Sequence, residues 1–168
     1  MELFLHFLKD FFFAFFLSIG FASLFNTPKK VLLIAGLLGS LGHSLKFLLH
    51  EGIGLGLITS TLSGTVLIGL LGIILAHRVH TPPVVFTMPA CITMIPGLYA
   101  YRTMLGFIKL TDESGLSRTT QDLENTVHYF VLTASLLFTL AIGISIGVLL
   151  FRQDSVKMLK FASRKNKS

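Results

Sequence analysis

Residues 53–76 read IGLGLITSTLSGTVLIGLLGIILA, a run with no charged side chain. A run this long restricts the fold more than any other feature of the chain. An α-helix needs about 20 apolar residues to cross a bilayer core of roughly 30 Å, because every backbone polar group must be satisfied within the segment. Four more segments of this kind follow from the sequence: about 8–26, 31–50, 84–108 and 124–151. A β-barrel would show alternating strands of about 10 residues, and these runs are longer and uniformly apolar. The expected fold class is therefore all-α, a polytopic integral membrane protein with about five transmembrane helices. The fourth is expected to break at Pro89 and at Pro96-Gly97, since proline removes a backbone donor and clashes with the preceding turn.

Composition agrees. Only 13% of the residues are charged, against roughly 25% in a soluble domain. The formal charge of +6 does not point to nucleic acid, because the basic residues gather in the tail 152–168, RQDSVKMLKFASRKNKS. Two regions are expected: a transmembrane helical domain, 1–151, and a basic cytoplasmic tail, 152–168. The apolar run 11–25 follows Glu2, Lys9 and Asp10 rather than a basic leader, so it is expected to remain as the first membrane helix. Placing the tail in the cytoplasm also puts Lys29, Lys30 and Arg78 inside, which gives an N-out, C-in orientation by the positive-inside rule. The polar stretch 109–122, KLTDESGLSRTTQD, is expected outside the bilayer. Were the fourth segment re-entrant, only four crossings would remain.

Several polar residues interrupt the apolar runs. A charge at the centre of a membrane helix costs roughly 2.5–3.5 kcal/mol on insertion scales, so it usually has a reason. In GLLGSLGHSLKFLLH, 36–50, helical spacing puts Gly39, His43, Lys46 and His50 on one face. Lys46 is near enough to the helix end to snorkel, whereas His43 is deeper and too short to escape. A neutral His43 bonded to a neighbouring backbone group is the plain alternative. With Arg102 and His128 at similar depth, these groups form a cationic site for a carboxylate if their helices bring them together. Broken helices expose backbone groups near the midplane, where transporters bind ions and substrates. Pro96-Gly97 is thus a candidate flank of a substrate path.

Small residues recur at close-packing spacing: Gly36, Gly39 and Gly42, then Ser60 and Gly64, then Ser135, Thr139, Gly143 and Gly147. These are expected to pack helices, within the chain or in a homo-oligomer. Enzyme motifs are poor. His50-Glu51 begins like H-E-x-x-H without the second histidine, and no nucleophile elbow or P-loop occurs. His77 and His80 lack a third ligand, so no metal, cofactor or enzymatic activity is expected.

Three pieces together, FASLFNTP at 21–28, GLLGSLGH at 36–43 with Lys46 beyond it, and FTMPACITMIPGLYAY at 86–101, resemble the threonine/serine exporter family. The likeness is strongest to its small YjjB-type subunit and covers nearly the whole chain. It implies a component of a bacterial inner-membrane exporter that works with a larger YjjP-type membrane subunit. It implies a small carboxylate such as succinate as substrate, or threonine and serine as in fused relatives. The matching positions are Gly39, Ser40, Gly42, His43, Lys46, Pro96, Gly97 and Tyr101. Arg102 lies outside the family pattern and is a path candidate on its own chemistry. A non-transporting assembly subunit is the competing expectation.

Overall fold

The computed structural model describes residues 2–111 and 120–165, with side chains given through Ile146 except at Leu3. The helices are α1 (Glu2–Leu24), α2 (Lys29–Phe47), α3 (Leu57–Val79), α4 (Val84–Ile92), α5 (Gly97–Thr111) and α6 (Thr120–Lys165). No strand occurs among the described residues. Four helical stretches are long and apolar enough to cross a membrane, and a fifth span exists if α4 and α5 count together. Those two helices bend by 59° across residues 93–96. α6 continues past the expected boundary at 151 to Lys165. Of the stretch 109–122, residues 112–119 lie outside the described residues, while its ends belong to α5 and α6.

The turns are set locally. Asn26 takes a left-handed φ of 53° after α1, and the amide of Thr27 closes back on the Ala22 carbonyl at 2.9 Å. This is the helix-ending geometry asparagine tolerates. Pro28 then caps α2, where a missing N–H costs nothing. After Phe47 the chain widens into one π-turn, Leu48–Gly52. That turn carries His50 into the loop, where its Nδ1 meets the Leu55 carbonyl at 2.9 Å and its Nε2 lies 3.8 Å from Glu51. His50 therefore leaves the stripe expected to run on from His43 and Lys46.

The expected double break of the fourth segment is a single one, because α4 runs straight through Pro89. Proline at 89 leaves the Val85 carbonyl, four residues earlier, without its helical donor. The Thr27 hydroxyl supplies one instead, donating to the Val85 carbonyl at 3.2 Å. The chain breaks only at 93–96, a stretch that ends in Pro96 and leads into Gly97 at the start of α5.

α4 is the hub. Short as it is, it packs against α1, α2, α3 and α6, and Phe86, Pro89, Ala90 and Met94 are fully buried. Neighbouring helices approach closely where one of them lacks a side chain. Gly36 faces Phe15 and Ile19; Gly39 faces Ser18 and Ala90; Gly42 faces Ile68 and Met94; Gly64 faces the Gly42 carbonyl and Met94. Gly143 on α6 faces Thr65 of α3. These glycines are occupied inside this one chain. Gly147 lies on α6 beyond the described side chains.

Candidate functional site

α1 turns a face of small residues to its neighbours: Ala14, Ser18 and Ala22, all buried and spaced every four residues. One turn before Ala14 on that face stands Asp10, which is half-buried. The opposing face of α2 is Gly36, Gly39, His43 and Lys46. α1 and α2 run antiparallel, with Phe15 and Ile19 at Gly36, Ser18 at Gly39, and the Phe7 ring 6.5 Å from that of Phe47. Interpolated between these contacts, Asp10 falls at the level of His43 and Lys46. The imidazole of His43 feels the charges of both Lys46 and Asp10, and it faces the main chain of Thr93 at the break after α4.

Four elements of chemistry thus meet: a carboxylate from α1, an imidazole and an ammonium from α2, and backbone at the opened end of α4. The site is incompletely satisfied. His43 Nδ1 is buried with no hydrogen-bond partner among the described residues, and so is the hydroxyl of its neighbour Ser44. Lys46 is half-buried, with no carboxylate of the described residues in ion-pair range. A buried polar group left unpaired costs about 1–3 kcal/mol, so such groups call for water or a ligand. A small solute bearing a carboxylate would pair with the lysine and could accept an N–H from the imidazole.

The remaining candidates sit elsewhere. Ser40 is fully buried, and its hydroxyl donates to the Leu37 carbonyl of its own helix at 3.0 Å. Pro96 is buried at the break and Gly97 is exposed, beginning α5. Tyr101 is 62% exposed. Arg102 lies on α5, which packs on α6 and makes at most slight contact elsewhere. Its Nη1 donates to the Tyr129 hydroxyl at 3.0 Å, and the guanidinium stands 5.2 Å from that ring's centre. His128 adjoins Tyr129 edge-on. The cations at similar depth therefore divide into two groups: His43 and Lys46 beside the α4 break, Arg102 and His128 in the α5–α6 hairpin.

Asp10 is the residue that reading the sequence for sites passed over. A signal was available: it is an ionisable residue in an apolar helix, in phase with Ala14, Ser18 and Ala22. Among the described residues no group of histidines, cysteines and acids is placed to hold a metal ion.

These features define a multi-pass α-helical membrane protein with a broken helix at its centre and a cluster of ionisable groups beside the break. The pattern of the family described as "Threonine/Serine exporter, ThrE" matches residues 10–150, and the chain belongs to that family. A relative from Haemophilus influenzae (strain Rd), described as an uncharacterized protein, is 35% identical over 150 residues. The match covers 89% of this chain and 49% of the relative, so the chain spans about half the length of the curated relative it matches. No solved structure matches.

Proposed function

We propose that this chain is the small subunit of a two-component exporter that moves a small carboxylate out of the cytoplasm, with the cluster of Asp10, His43, Lys46 and Thr93 as its solute contact. The observation that supports this reading most is Lys46, half-buried near the broken helix with no carboxylate of the described residues within ion-pair distance. The family places the chain among membrane transport proteins. The larger YjjP-type partner in this reading is what the resemblance to the small subunit of the family implies. The proposed setting is the bacterial inner membrane, N-terminus out and C-terminus in, which a C-terminal reporter fusion reads directly.

Two solute classes compete. A succinate-like dicarboxylate would use the cations alone. An α-amino acid such as threonine or serine brings an ammonium as well, and Asp10 beside His43 favours that second reading. The test is efflux from proteoliposomes holding this chain alone and then with its partner, using labelled succinate and threonine in parallel. His43→Ala should cut efflux at least tenfold while membrane insertion and yield stay unchanged. Wild-type efflux in that variant removes His43 from the mechanism. No efflux of either solute with the partner present would favour a non-transporting assembly role.

A further inference from the structure

The hairpin of α5 and α6 carries a polar cavity of about 260 Å³, apart from the His43–Lys46 cluster. Arg102 and Lys109 line it from α5; Asp122, Asn125 and Tyr129 line it from α6. We propose that this cavity holds the phosphate of a membrane phospholipid, with the acyl chains lying along the outer face of α5.

Position is the first support. The cavity lies toward the tip of the hairpin, next to the polar sequence that joins α5 to α6, so it stands at a membrane surface whichever way the bent pair is oriented. Tyr129 lines the cavity, and the other two tyrosines of the chain lie on the first turns of α5. Tyr99 stacks on Tyr129 with ring centres 6.2 Å apart, and Tyr101 is exposed beside Arg102. Tyrosine concentrates at the headgroup level because its ring is apolar and its hydroxyl is wet.

The chemistry of the walls is the second support. The Tyr129 hydroxyl fixes one arm of the Arg102 guanidinium, and a guanidinium has five N–H donors, so others are left to bind. Lys109 is two turns along the same face, about 10 Å away along the axis. Its flexible stem brings an ammonium to the same anion. Beside the cations, Met104 and Ile108 are exposed on a helix packed chiefly on α6, an apolar track for acyl chains.

The full chain in detergent tests this. Thermal unfolding is followed with added dioctanoyl phosphatidylglycerol, dioctanoylglycerol or glycerol 3-phosphate. Only the first should raise the midpoint. Its half-saturating concentration should rise about tenfold in Arg102→Gln and again in Lys109→Gln, the loss of one charge-assisted contact each. Lys29→Gln, a basic change away from the cavity, should leave it unchanged. Lys109 is exposed at a helix end, so its variant tests the cavity even if Arg102→Gln fails to fold. Equal stabilisation by glycerol 3-phosphate or dioctanoylglycerol, unaltered lipid response in the variants, or displacement of the lipid by succinate or threonine would each overturn the proposal.

Discussion

α4 and α5 come from one apolar stretch of sequence and end up in opposite surroundings. α4 is enclosed by four helices, while α5 lies on α6 and buries only Thr103. Hydrophobicity does not separate them, since α5 exposes Leu98, Met104, Leu105, Phe107 and Ile108. Small residues do. Glycines let the neighbouring helices approach α4 and the break after it: Gly72 meets Thr87, Gly39 lies against the Ala90 backbone, and Gly42 and Gly64 meet Met94. α5 has one such contact, Gly106 against Thr126. In lipid no hydrophobic force drives apolar helices together, so close van der Waals approach decides which surfaces pair. The region with the glycines becomes a core, and the other keeps its surface for lipid or partners.

The largest expected effect tests that account directly. A Cβ at Gly64 would stand 2.7 Å from the Gly42 carbonyl and 2.8 Å from Met94 Cε. The first of these is backbone and has nowhere to go. Gly64→Ala should destabilise the chain by about 2–3 kcal/mol, beyond any gain in helix propensity. Gly106→Ala meets the Thr126 side chain, whose Cβ would stand 2.8 Å away, but α5 packs mainly on α6 and can ease outward, so it should cost less. Unfolding in detergent compares the two. Equal losses would mean that close approach matters as much in the hairpin as in the core.

A smaller loss probes how α4 survives a proline. Thr27→Val removes the hydroxyl that serves the Val85 carbonyl, a group Pro89 leaves without its helical donor. The cost should be about 1–2 kcal/mol, that of one buried acceptor left unpaired. Thr27→Ser keeps the hydroxyl and should recover most of it. If Thr27→Val is neutral, the carbonyl has another donor, and Pro89 is tolerated for a different reason.

That contact also shows where sequence reading reached its limit. The spans were legible because about 20 apolar residues in a row have few other fates, and the glycine spacings marked the packing faces. The Pro89 rescue was not legible, because its donor is 58 residues away and ordinary in itself. Depth along each helix was readable for His43, Lys46, Arg102 and His128. Their grouping was not, because rotation about the helix axis is set by partners the sequence does not name. The π-turn that removes His50 from the stripe shifts this phase again. Asp10 looked like a helix flank when only its distance from the N-terminus was weighed. Its phase with Ala14 and Ser18 is what assigns it to the α1–α2 contact.

The joint between the two regions gives the smallest expected change in stability and the clearest division between structure and function. A Cβ on Gly97 would meet nothing within 4 Å, and its φ is not in the left-handed region. Packing therefore gives no reason for glycine there. Gly97→Ala should leave stability unchanged or raise it by about 0.5 kcal/mol, through the lower entropy of the unfolded chain. If efflux is also unchanged, the 59° bend is a fixed feature set by Pro96 and the break before it. If efflux falls while stability holds, Gly97 serves a second conformation in which the joint moves or a solute passes close to its backbone. The enclosed α4 and the free α5 would then be the fixed and moving halves of one device, with Gly97 as the hinge.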